Sequence, residues 1–149
     1  MIATSDCALG HMKSTLMAVL VLAVAAPAVA DPMTDDELAA LYAQPSPFEA
    51  VPHDQWIAES ENAFVIRTKE PQAPVHLLVI PKKRVPTLLQ APPGLYEEML
   101  VLARKVAEQH DIARSGFRIV INTHPQGSQS VYHFHMHVLG GRQMRWPPG

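Results

Sequence analysis

The chain has 149 residues, a formal charge of −2 at pH 7 and one cysteine, and 48% of it is hydrophobic. That balance offers no basic surface of the kind that binds nucleic acid, and a lone thiol excludes a cysteine zinc site. The length is enough for one small domain with its own core.

Residues 14–30 carry no charge and are mostly Leu, Val, Ala and Met, with Lys13 before them and Ala28-Val29-Ala30 at their end. A basic start, an apolar centre and a small-x-small end are the three parts of a secretory signal. The run is shorter than the ~20 apolar residues a membrane-spanning helix needs. We therefore expect removal after Ala30, a periplasmic or secreted protein, and no stable membrane association afterwards. Met12-Lys13 makes a more ordinary signal start than Met1, which sets residues 1–11 upstream of the signal proper. Cys7 leaves with the leader, and a chain without thiols suits an oxidising compartment. The expected organisation is a signal peptide at 1–30, an N-terminal helix and arm at 31–54 and one domain at 55–149.

Thr34-Asp35-Asp36-Glu37 reads as a capping box that opens a short helix running from Glu37 to about Ala43. Pro45, Pro47 and Pro52 make residues 44–53 an irregular arm. Strand-like runs follow at 55–59 and 63–67, joined by Ser60-Glu61-Asn62 in a hairpin turn. Residues 75–80 are an apolar run that contains His76 and stops at Pro81. Residues 95–110 form the one long helix, since Leu95, Met99, Leu102 and Val106 recur at four, three and four residues and make one apolar stripe. Residues 117–121 are again of β type. The order is short helix, three strands, long helix, two strands. It indicates an α+β domain with a mainly antiparallel five-stranded sheet and one long helix packed on it. Lys82 and Lys83 read as a solvated turn after a strand, and His53 and His110 as ordinary exposed or satisfied histidines.

The run His133-Phe134-His135-Met136-His137 sits within a stretch that begins at Ser130 and ends at Gly141. Tyr, Val and Phe favour an extended chain, which sends alternate side chains to opposite faces. Val131, His133, His135, His137 and Leu139 then share one face, and Tyr132, Phe134, Met136 and Val138 the other. No packing requirement places three titratable rings in a row. Two readings compete. Neighbouring rings at i and i+2 are ~6.6 Å apart and can chelate a metal, but His133 and His137 are ~13 Å apart on an ideal strand, which makes a single three-histidine site difficult. Alternatively, a neutral imidazole near pH 7 is a good nucleophile toward phosphorus, with a reference pKa of ~6.5. The loop before the strand carries Asn122 and Gly127-Ser128-Gln129-Ser130, which can supply donors to a phosphoryl centre.

The His-x-His-x-His run closed by Gly140-Gly141-Arg142, together with Gln143 to Gly149 and with Pro71 to Lys83, resembles the histidine triad superfamily. It is most similar to the histidine triad nucleotide-binding branch, over roughly residues 56–149. The resemblance implies that His135 attacks the α-phosphorus of a small nucleotide substrate and carries a nucleotidyl group until water releases a nucleoside monophosphate. It implies that His137, Asn122 and Ser130 hold the phosphate with help from the Ser128, Gln129 and Ser130 backbone. His133 and His76 would orient His135, and Trp146 would reach a partner's site in a homodimer. It implies a purine nucleoside phosphoramidase-like hydrolase that uses no metal and no other cofactor. Against the family pattern, Arg67, Thr68 and Lys69 replace a histidine, a ribose-contacting aspartate and an apolar residue, and Ser128 replaces a glycine. The alternative is a metal-binding or nucleotide-sensing module on the same scaffold without turnover.

Overall fold

The computed structural model describes residues 31–146. The expected signal peptide and residues 147–149 of the tail lie outside them. The fold is carried by the unit that begins at Met33.

Helix α1 (Asp35–Tyr42) is opened by the capping box read from the sequence. The Thr34 hydroxyl accepts from the Glu37 N–H, and the Glu37 carboxylate accepts from the Thr34 N–H at 2.8 Å. It starts two residues earlier than expected, because a helix begins directly after its N-cap. The arm that follows contains two short 3-10 turns, Pro47–Ala50 and His53–Gln55.

Strands β1 (Ala58–Glu59), β2 (Ala63–Arg67), β3 (Val75–Pro81), β4 (Phe117–Val120) and β5 (Met136–Gly140) form one sheet in the order β1-β2-β3-β5-β4, every pair antiparallel. The first strand is shorter than the expected 55–59, because the 3-10 turn after Pro52 occupies its beginning. Helix α2 (Pro93–Gln109) lies on one face of the sheet. Met99, Leu102 and Val106 of the expected stripe are buried there, with Ala103 and Ala107 filling the space between them, against Val65, Leu77, Val79, Phe134, Met136 and Val138. Period-two alternation sends the other residues of the same strands to the opposite face, where Phe64, Ile66, Leu78 and Ile80 form a second apolar cluster under Phe48, Val51 and Trp56.

The histidine run departs from the expected continuous strand. Its ladder starts only at Met136, because Val79 pairs with Met136 and β3 ends two residues later, where the Lys82 N–H turns to the Asn62 carbonyl. His133, Phe134 and His135 therefore approach the sheet without a strand partner, and the Phe134 N–H bonds to the Val85 carbonyl instead. The alternation of sides survives. Phe134, Met136 and Val138 enter the core under α2, and the three histidines stay on the other side.

Candidate active site

Three elements bring four imidazoles together. The last residues before β5 carry His133 and His135, β5 carries His137, and β3 carries His76, whose neighbour in register is Leu139. His76 and His137 are hydrogen-bonded ring to ring at 2.9 Å, and the His135 and His137 rings lie 4.9 Å apart edge to face.

The partners of each ring assign its protons. His76 Nδ1 accepts from the Gln72 N–H at 3.0 Å, so its proton is on Nε2 and is donated to His137 Nδ1. His137 then carries its own proton on Nε2, an atom sealed from solvent that finds no partner among the described residues. His133 donates from Nε2 to the Pro81 carbonyl at 2.9 Å and accepts at Nδ1 from the Ser46 hydroxyl at 2.8 Å. The Ser46 oxygen is fixed in turn by the Phe48 N–H. His135 donates from Nδ1 to the His133 carbonyl at 2.8 Å, which leaves the lone pair on Nε2. The result is one imidazole with a free basic nitrogen beside another that holds an unpartnered N–H.

Burial keeps the group neutral. It lowers the pKa of His76, of His133 and of His135 below the ordinary imidazole value, against the opposing pull of a carbonyl partner on the last two. His137 is pushed down to about 4, first by burial and then by repulsion from His135 and His76. Phe48 completes the enclosure, its ring edge-on to His135 at 5.2 Å and to His133 at 5.7 Å.

The loop between β4 and β5 is half-buried at Asn122 and exposed at Ser128 and Ser130. Its backbone is less available to an anion than the sequence suggests. The Ser128 and Gln129 N–H groups bond within the loop, to the carbonyls of Pro125 and His124, and the 3-10 turn Pro125–Gly127 is the cause. The Gln129 side chain is buried and fully engaged. It donates to the Pro86 and Val131 carbonyls and accepts from the His124 N–H, so it shapes the loop from beneath. Ser130 remains as the exposed donor. Trp146 stands 85% exposed at the end of the described residues. Lys82 bonds to Glu59 at 2.5 Å and lies over the Trp56 ring, a surface cluster apart from the imidazoles.

Sequence reasoning missed Ser46, Phe48 and the Gln72 N–H. Nothing in a proline-rich arm marks a serine that will meet a histidine 87 positions later. Among the described residues no three His, Asp or Glu side chains come together as a metal-ligating group.

An antiparallel sheet with one helix behind it and a bonded histidine row in front defines the histidine triad class. The chain matches the HIT domain family over residues 49–144 and belongs to that family. It is 47% identical over 98 residues to the adenylylsulfatase HINT1 of Arabidopsis thaliana, covering 62% of this chain and just under two thirds, 66%, of that protein. It is 46% identical over 98 residues to a 14 kDa zinc-binding protein of Brassica juncea, covering 62% and 86% of the two chains. The crystal structure of a HIT family hydrolase from Legionella pneumophila Philadelphia 1 superposes with a TM-score of 0.61 at 42% identity, covering 64% of this chain and 88% of that one.

Proposed function

We propose that the protein is a nucleotide hydrolase that cleaves a nucleoside 5′-phosphoramidate or a related P–N or P–O bond through a nucleotidyl-His135 intermediate. The observation that carries this reading is the tautomer of His135. Its Nδ1–H is held by the His133 carbonyl, so the lone pair is on Nε2, and the His137 ring lies edge to face 4.9 Å away. In the first step Nε2 of His135 bonds to the α-phosphorus while the bond to the leaving group breaks, the electron pair departing with that group. The leaving group takes up a proton from solvent and leaves as the neutral amine or alcohol, and the proton is returned when water is consumed in the second step. The unpartnered Nε2–H of His137 is the donor for the phosphoryl oxygens, whose charge grows in the transition state, once the substrate opens the side of the ring that is sealed in the free protein. Asn122 and Ser130 belong to the loop that leads into the histidine run, where the Asn122 amide donates to the Ser128 carbonyl at 3.5 Å, and we assign them to the same phosphate. Water then attacks the same phosphorus, the P–N bond to His135 breaks, and a nucleoside monophosphate leaves.

The Arabidopsis relative is named for adenylyl sulfate, a mixed anhydride of the same adenylyl class, and that supports an adenylyl donor here. The test is intact-mass spectrometry of protein quenched soon after mixing with adenosine 5′-phosphoramidate. A nucleotidyl adduct that needs His135, followed by AMP, is the expected result. AMP release by a His135→Ala variant at the parent rate would sink the mechanism.

The name of the Brassica relative raises a zinc-holding reading of the same histidines. The bonding pattern opposes a three-histidine site, since both nitrogens of His133 and both of His76 already have partners. Stoichiometric zinc on the isolated protein would favour it.

The apolar leader supports action outside the cytoplasm. N-terminal sequencing of protein from its host decides this, a start at Asp31 supporting it and an earlier start opposing it. The homodimer is supported by β4 as an outer strand and by the exposed Leu100 and Val101 of α2. Light scattering in solution tests it.

A further inference from the structure

Helix α1 buries none of its residues, yet it is fully capped and precedes the span that matches the family. Its attachments are concentrated at its last turn. The Tyr42 hydroxyl bonds to His124 Nε2 at 2.9 Å and accepts from the Gln90 amide at 3.3 Å. The two rings also stack, with centroids 6.2 Å apart. The Arg84 guanidinium holds the carbonyls of Tyr42 and Gln44 and also that of Tyr132, the residue before His133.

His124 stands where an L-residue is rarely found. Its φ of 62° and ψ of 173° belong to a region that is essentially reserved for glycine. Ser128, at the far end of the same 3-10 turn, is left-handed with φ 60°. Such a conformation persists only where its surroundings over-determine it. Here they are the Gln129 side-chain oxygen on the His124 N–H, the Gly127 and Gln129 N–H groups on the His124 carbonyl, and the Tyr42 hydroxyl, the one contact to the ring that comes from outside the loop. A glycine would meet no penalty at this position, but it would also have no ring for Tyr42 to hold.

We propose that Tyr42 is a positioning residue that acts through His124: α1 is a strap whose last turn holds loop 122–130 in the strained shape that sets Asn122 and Ser130 toward the substrate phosphate. The role given to the phosphate rests on the function proposed above. The strap itself does not.

The test uses the full-length mature chain and the variants Tyr42→Phe, His124→Gly and the two combined. Hydrogen–deuterium exchange is read over residues 122–130, and binding of AMP and of adenosine is measured in parallel with melting temperature. Each single variant is expected to speed exchange in the loop and to weaken AMP about threefold to tenfold, the scale of one hydrogen bond, with adenosine affinity unchanged. Because the two side chains act as one unit, the double variant should lose no more than the worse single. Restoring a hydroxyl-bearing ring at position 42 should restore AMP affinity. Unchanged exchange, equal losses for AMP and adenosine, or additive losses in the double variant would each overturn the strap. If the parent binds no AMP and releases none, the nucleotide reading fails. The exchange data then decide the strap alone, faster exchange in Tyr42→Phe supporting it and parental exchange overturning it.

Discussion

The neutrality of His135 is a property of one residue's surroundings, and it has a kinetic consequence. An exposed imidazole is half protonated near pH 6.5 and would lose nucleophilic activity around that pH. Burial lowers the His135 pKa, so the nucleophile stays unprotonated further into acid than a free histidine. The rate of nucleoside monophosphate release at low substrate concentration is expected to stay level from pH 8 to 6.5 and to decline only below that. A decline centred above pH 6.5 would show that His135 is not the group titrating. Ser46 gives a second prediction at this scale. Its hydroxyl is the donor to His133 Nδ1, and both groups are buried. Ser46→Ala leaves that nitrogen unpaired, which costs about 1–3 kcal/mol. A melting temperature several degrees lower is expected, and a variant that melts with the parent would show that another donor reaches the ring.

The elements differ in how far their sequences announce them, and the reason is the range of the interactions that define each one. The α2 stripe and the alternation of Phe134, Met136 and Val138 are legible because a period along the chain is a local property that burial then obeys. The length of β5 is not local. Where its ladder starts depends on where β3 ends, 55 positions earlier in the chain at Pro81 against Met136, so reading the histidine run as one continuous strand overextends it. The imidazole row was therefore visible as a cluster, while the Ser46, Gln72 and Pro81 contacts that set its tautomers were not, since each comes from another element. Gly140 shows the same limit. It reads as the end of a motif, yet its meaning is steric. A methyl group there would come within 2.7 to 2.9 Å of three Ile112 side-chain atoms, in the segment that leaves α2. Gly140→Ala is expected to destabilise the fold by about 1–3 kcal/mol through overpacking at the junction of β5 with that segment. Urea unfolding measures it, and a midpoint equal to the parent's would mean that Ile112 moves aside freely.

At the scale of the whole molecule the four imidazoles tie the arm, β3 and β5 into one block, so their titration becomes a property of global stability. All four pKa values are lowered in the fold, His137 to about 4. The unfolded chain, with ordinary histidines, therefore binds more protons than the native one between about pH 4 and 6.5. Stability must then rise with pH across that window and be lost as pH falls through it. Each group contributes up to about 1.4 kcal/mol per pH unit while the unfolded form is protonated and the folded form is not. Glu59 and Glu98 also have lowered pKa values, Glu59 through hydrogen bonds from Lys82 and His53, and Glu98 through the nearby Ser60 hydroxyl and the hydrogen bonds it accepts from the Asn62 N–H and amide. Their stabilisation is present above their unfolded value of ~4.3 and is lost below it, so they act in a more acidic range than the imidazoles. The two sets are separable by experiment. Melting temperatures recorded from pH 7.5 to 4.5 should fall steeply for the parent. They should fall less for His137→Asn, which keeps a polar group against His76 and cannot take up the proton. Parallel curves for the two proteins would mean that His137 is no more reluctant to protonate in the fold than in the unfolded chain. The neutral donor assigned to its Nε2 would then have to be given up.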